Sequence, residues 1–333
     1  MTQVISKSDL MVWLGRLSES HRLIAPVDEA GVTLFQKVSK VEDIALDFTN
    51  TVLSPKEWFF PATETLFSVE KKDGGIELVP NEDVEESVIF GVRPCDALGI
   101  ALLDKPFLNE PADALYGRHR DKTTLIGLSC SEARPECFCT SMGTAPNDPA
   151  NVDVLLTEVA DGYIVDAVTD KGKAIVPQDL LKESDVTAPP PPSMETVPVE
   201  GIEEAMSQSF DDPYWERLAD RCLHCKLCAY VCPICYCFDV RDYNDKGKVQ
   251  RVRSWESCQS SGFTTIAGGY DRRAGKGPHL RQRFGHKLLY FPREFGSAAC
   301  TGCGRCVKVC PVNVDIREVI GDVQDLGGTS GQQ

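Results

Sequence analysis

An α+β chain is what this sequence predicts, and three observations predict it. Short apolar, β-branched runs recur through the first half: Ser87-Val-Ile-Phe-Gly-Val92, Thr123-Thr-Leu-Ile-Gly-Leu128, Val152-Asp-Val-Leu-Leu156 and Gly162-Tyr-Ile-Val-Asp-Ala-Val168. Their length and composition are those of buried strands. Four consecutive prolines then stand in Thr187-Ala-Pro-Pro-Pro-Pro-Ser-Met-Glu-Thr-Val-Pro198. They forbid helix and disfavour a central strand, leaving a semi-rigid spacer. Finally, one cysteine spacing occurs twice after the spacer: Cys222, Cys225, Cys228 and Cys232-Pro233, and again Cys300, Cys303, Cys306 and Cys310-Pro311.

These observations divide the chain into an N-terminal α/β-type domain over 1–186, a Pro-rich linker over 187–199, and a cysteine-rich domain over 200–333. In the first domain, helical spacing at 7–18 and 95–103 alternates with the strand runs. After the linker, 212–223 has helical spacing and leads into the first cysteine loop. Between Cys232 and Cys300 lie 67 residues, far more than a compact two-loop protein needs. This connection holds Arg/Lys-rich, helix-compatible stretches and the glycine-rich turn region Ala267-Gly-Gly-Tyr-Asp-Arg-Arg-Ala-Gly-Lys-Gly277. The second domain is therefore expected to be mostly helical and ferredoxin-like.

Each cysteine run is the C-x2-C-x2-C-x3-C-P pattern of a bacterial-type iron–sulfur site. Three thiolates on a tight loop grip three corners of a [4Fe–4S] cube, and the fourth, opening the next helix, ligates the other cube. One cluster is thus assigned to Cys222, Cys225, Cys228 and Cys310, and the other to Cys300, Cys303, Cys306 and Cys232. Zinc sites favour separated ligand pairs, commonly with histidine, and neither run resolves into such pairs. Disulfides belong to exported proteins, and the first residues show no apolar signal core. No uninterrupted apolar stretch reaches the roughly 20 residues of a membrane helix. The expectation is a cytoplasmic chain in a reducing compartment, without a membrane span.

Four further cysteines lie in the first domain. Cys95 follows one predicted strand, Cys130 ends the next, and Cys137 and Cys139 come shortly after. Loops at the carboxyl ends of adjacent strands converge in an open sheet, and four thiols are what a third [4Fe–4S] cluster requires; reduced, buried thiols are the alternative. Cys235, Cys237 and Cys258 are expected to pack beside the clusters, although they could also replace a ligand or hold another centre.

The formal net charge is −15, which argues against nucleic acid as a partner. Yet 241–293 holds twelve Lys/Arg against four acids. This basic insertion reads either as a docking face for an acidic partner, which would also raise the potential of a nearby cluster, or as a surface paired within itself. His224, inside the first loop, is a candidate donor to a cluster sulfur, an exposed loop histidine being the plainer reading. His279 and His286, among arginines, read as solvated or docking residues. No Gly-x-Gly-x-x-Gly follows a strand, and neither a P-loop nor a nucleophile elbow appears.

Four segments carry a resemblance: Phe90-Gly-Val-Arg-Pro-Cys-Asp-Ala-Leu98, Cys137-Phe-Cys-Thr-Ser-Met-Gly-Thr144, Cys232-Pro-Ile-Cys-Tyr-Cys-Phe-Asp239 and Cys300-Thr-Gly-Cys-Gly-Arg-Cys306. Together they resemble the β subunit of cytoplasmic sulfhydrogenases (nickel–iron hydrogenases) and the corresponding iron–sulfur subunit of anaerobic sulfite reductase. Ser54-Pro-Lys-Glu-Trp-Phe-Phe-Pro61 and Arg281-Gln-Arg-Phe-Gly-His-Lys287 extend the similarity over nearly the whole chain. The resemblance implies a non-catalytic electron-transfer subunit of an oxidoreductase complex. Its partners would be a reductase subunit carrying FAD and NAD(P) and a catalytic subunit: hydrogenase, sulfite reductase or a heterodisulfide-reductase-like module. Two other readings remain: a catalytic reductase working at an N-terminal cluster, and a redox sensor. Against the latter stands the lack of a recognisable DNA-binding module.

Overall fold

The computed structural model describes residues 2–72, 74–81, 84–245 and 248–330, and the protein is α+β. Its strands are β1 (Thr2–Ser6), β2 (Arg22–Glu29), β3 (Val32–Lys37), β4 (Thr63–Lys72), β5 (Gly75–Pro80), β6 (Ser87–Val92), β7 (Thr123–Leu128), β8 (Val154–Val159), β9 (Gly162–Ala167), β10 (Lys182–Ser184), β11 (Phe238–Asp245) and β12 (Lys248–Trp255). Packing divides the chain into two units. The first comprises Met1–Lys56, Val84–Thr196 and Thr301–Cys303; the second comprises Glu57–Asp83, Val197–Cys300 and Gly304–Gln333. The linear cut thus falls near the polyproline segment, but the β4–β5 hairpin is lent forward to the second unit and three residues of the last loop are lent back to the first.

The first unit is built on an eight-stranded sheet of order β10-β1-β9-β8-β7-β6-β2-β3. Strands β2, β6, β7 and β8 run parallel, and the remaining pairs are antiparallel. All six residues of β6 are buried, as befits a parallel strand covered on both faces. Helix Lys7–Ser20 starts where the Ser6 side chain accepts the Asp9 amide at 3.0 Å, an N-cap. It buries Leu10, Trp13, Leu14 and Leu17, the stripe expected of one helix face. In β6, Gly91 (φ 82°) occupies a register shift against β7 between Phe90 and Val92. Helix Pro94–Leu108 follows at once, with proline in its first turn, where no amide donor is missed.

The second unit contains a four-stranded antiparallel sheet, β11-β12-β4-β5. A large part of the insertion expected to be helical is therefore the β11–β12 hairpin. Its apolar residues recur two or three apart, as in Phe238, Val240, Val249 and Val252, and the local propensity gives way to pairing with β4. Helices Ile202–Gln208, Tyr214–Arg221, Lys276–Gly285 and Ile316–Ser330 supply the rest. Trp215 stacks on Phe284 with ring centroids 6.1 Å apart, fixing Tyr214–Arg221 against Lys276–Gly285. The latter passes into a π-helical turn, His286–Tyr290.

Candidate functional site

In the second unit, Cys222, Cys225, Cys228 and Cys310 line one pocket, with Cys306, Gln259, Leu280, Arg283 and Phe284 on its wall. Cys222 caps helix Tyr214–Arg221. His224 and Lys226 then take left-handed backbone angles of 58° and 67°, which coil the loop so that its three thiols point to one side. The His224 amide donates to Cys222 Sγ at 3.3 Å, and the Val314 amide to Cys310 Sγ at 3.2 Å. Amide donors to cysteine sulfur are one lever on cluster potential. His224 Nε2, in this loop, and Arg283 Nε, on the pocket wall, are buried without a hydrogen-bond partner. Both are suited to the sulfurs of a cluster, and the thiol-rich wall fits the same group. Burial, and secondarily His279, holds the His224 imidazole below its usual pKa.

In the first unit, Cys95, Cys130, Cys137 and Cys139 line a second pocket together with Cys303. The parallel sheet explains the convergence. Cys95 lies in the first turn of the helix after β6 and Cys130 just beyond β7, both at carboxyl ends of strands, where α/β sheets open. Arg93 on this wall donates to Leu128 O at 3.2 Å and Ser129 O at 2.6 Å, and also to Phe48 O. Its Nε is buried without a partner. Burial pushes the thiols of Cys130 and Cys137 up, and that of Cys139 up to about 12, so loading this pocket with iron would release protons. Cys139 Sγ also lies 3.7 Å from Met194 Sδ.

Of the second crossed set, Cys303 belongs to this N-terminal pocket, and Cys306 lies on the wall of the first pocket. Cys232 is buried and Lys287 Nζ approaches its Sγ at 3.1 Å. A hydrogen bond from Cys235, reinforced by Lys287 and Arg283, holds the Cys232 thiol well below its usual pKa, giving the thiolate that ligation needs. Lys287 feels the charge of Cys300 as well. Cys237 and Cys258 are hydrogen-bonded to each other, thiol to thiol. Among the described residues no three His, Cys, Asp or Glu side chains gather about a single metal ion.

Several arginines of the basic insertion are paired with acids. Arg241 meets Asp239, Arg251 meets Asp242, Arg281 meets Asp211 and Arg293 meets Glu203, while Arg253 makes a buried bridge to Glu64 at 2.5 Å. Lys246 lies outside the described residues. His279 is buried against Thr264 and Asp271, and His286 meets the Tyr236 hydroxyl at 3.2 Å; neither is a solvated residue. Sequence reasoning missed Arg93, Arg283 and Lys287 as interior groups. The available signals were the position of Arg93 two residues before Cys95 and the four-residue spacing of the other two.

A thiol-lined pocket with an orphaned donor at its wall defines a class, that of iron–sulfur proteins, and residues 221–314 match the 4Fe-4S dicluster domain model. A curated relative, the β subunit of sulfhydrogenase 2 from Pyrococcus furiosus, is 30% identical over 328 residues, covering 94% of this chain and 95% of its own length. The chain belongs to this family of sulfhydrogenase β subunits, and its dicluster domain is a [4Fe–4S] domain. No solved structure matches it. Among the described residues no helix is long and apolar enough to cross a membrane.

Proposed function

We propose that this chain is the electron relay of a cytoplasmic oxidoreductase complex. It would stand between a reductase subunit bearing flavin and NAD(P) and a catalytic subunit of hydrogenase, sulfite reductase or heterodisulfide-reductase type. The observation that carries the reading is the meeting of Cys310 with Cys222, Cys225 and Cys228 on one pocket, the crossed arrangement of a dicluster protein. Cys232, Cys300, Cys303 and Cys306 would hold the second cluster, and Cys95, Cys130, Cys137 and Cys139 a third. When bound, such clusters carry single electrons. The chain's own residues hold them by thiolate, donate to their sulfurs from the backbone and keep water away.

The test is anaerobic iron and acid-labile sulfide quantification with EPR of the dithionite-reduced chain, before and after Cys137→Ser and Cys139→Ser. About twelve iron per chain, falling by about four in the variant, supports three clusters; about eight, indifferent to the changes, leaves two. Failure to co-purify with any flavoprotein from the native host sinks the relay. A catalytic reading has one observation in its favour: a polar cavity of about 380 Å³, lined by Lys7, Asp47, Ser129, Glu158 and Tyr163, shares Arg93 and Glu132 with the N-terminal thiol pocket. Reduction of a small substrate by the isolated, loaded chain would favour it.

A further inference from the structure

Arg283 and Lys287 lie four residues apart where helix Lys276–Gly285 runs into the π turn, so they share one face. Each is only 3% exposed. Arg283 donates to Cys228 O at 3.0 Å and keeps a buried, unpartnered Nε on the wall of the first thiol pocket. Lys287 donates to Cys232 Sγ at 3.1 Å and to Ala299 O at 2.9 Å. Among the described residues neither has a carboxylate partner.

Arg253, equally buried, is by contrast matched by Glu64, and Arg241, Arg251, Arg281 and Arg293 of the same segment have acids beside them. Removing an ion from water without a counter-ion is unfavourable, so something else must balance these two cations. The groups facing them are cysteines, which become thiolates on ligating a cluster: Cys228, Cys306, Cys235 and Cys232 around Arg283, and Cys232, Cys235 and Cys300 around Lys287. A guanidinium stays protonated in proteins, and the Lys287 ammonium, donating to a sulfur and a carbonyl, is held in place; both are positive charges fixed beside the cysteines.

We infer that Lys287 and Arg283 set the electron affinity of the dicluster, one cation against a ligand of each cluster, Lys287 acting on the cluster that Cys232 ligates. This deepens the relay reading and rests on its cluster assignment. Reduction adds a negative charge to a cluster, and a fixed cation in a water-poor interior favours the reduced state more than the oxidised one. Both potentials are raised, the more strongly where the ammonium touches the ligand sulfur itself. These are positioning residues: they touch ligands and move no electron themselves.

The test is an anaerobic redox titration of the full, iron-loaded chain followed by EPR, comparing wild type with Lys287→Met, Lys287→Arg and Arg283→Gln. Lys287→Met is expected to keep its iron while one cluster's midpoint moves negative, and Lys287→Arg, which restores the charge, to bring it back. Arg283→Gln should move the other midpoint in the same direction. Unchanged midpoints in an iron-replete Lys287→Met, or an equal shift in Lys287→Arg, overturn the inference. Should Lys287→Met fail to hold iron, Arg283→Gln decides in the same terms, an unmoved midpoint overturning it. Fewer than about eight iron in the wild type would instead overturn the dicluster assignment, a result visible before any variant is made.

Discussion

At the third and fifth positions of both cysteine loops the backbone turns left-handed, and the two loops fill those positions differently. The first uses His224 (φ 58°) and Lys226 (φ 67°); the second uses Gly302 (φ 64°) and Gly304 (φ 72°). Both then enter a four-residue helix, Leu227–Tyr230 or Arg305–Lys308, and end at Cys-Pro. Holding an L-residue in this conformation costs roughly 1–2 kcal/mol, so the first loop carries strain that the second avoids. What separates them is surroundings. A Cβ on Gly302 would lie 2.5 Å from Cys139 N, and Gly302 O accepts the Phe138 amide at 2.9 Å. In the first loop the His224 ring stands 5.2 Å from that of His279, with room for a side chain. One spacing thus serves as an exposed loop in one copy and as part of a neighbouring pocket's wall in the other.

Iron removal should have the largest effect on this pair. Helices of four residues do not persist alone, and the thiols that face each other across the pocket would lose their common tether. Chelation of the reduced protein is expected to deprotect the amides of both loops, read by hydrogen exchange; protection surviving in either loop would show it to be set by packing alone. Next comes Gly302→Ala, which combines the left-handed penalty with a backbone clash and should cost about 3 kcal/mol or more. It should also lower iron content in the N-terminal pocket. His224→Ala, at the corresponding position, should cost under about 1 kcal/mol, because it leaves the backbone angle and its penalty in place. Equal losses of melting temperature in the two variants would break the comparison.

Cys310→Ser should remove the first cluster, about four iron, while leaving the N-terminal pocket's share intact; iron analysis checks it. The smallest effect is expected from Lys226→Gly, a gain of at most about 1 kcal/mol, since relief of strain is partly offset by the freer unfolded chain. Its denaturation midpoint should rise slightly or stay level, and a fall would mean that the Lys226 side chain supports the loop.

How far the sequence could be read follows from the range of the forces involved. β6 and β7 were legible because buried parallel strands are apolar on both faces. The β11–β12 hairpin was not, since its Arg-rich strands find their partner in β4, almost two hundred residues earlier. The basic insertion showed its charge in the sequence but not its pairing: Asp211 and Glu203, which neutralise Arg281 and Arg293, lie roughly seventy and ninety residues away. Arg283 and Lys287 looked like their surface neighbours, because burial is a property of packing and leaves no mark on a single residue type.

By itself the sequence determined the chemistry available to this protein: two runs of thiols at cluster spacing, a third group of four, and an acidic chain with a basic segment. Spacing within a loop is local, so the loop's own backbone carries it. Only the tertiary structure decided which thiols share a pocket, bringing Cys310 to Cys222 and Cys303 to Cys137, and which cations lose their water. Those outcomes depend on distant segments competing for the same interior, and the strand pairings and helix contacts that settle that competition exist only once the chain has folded.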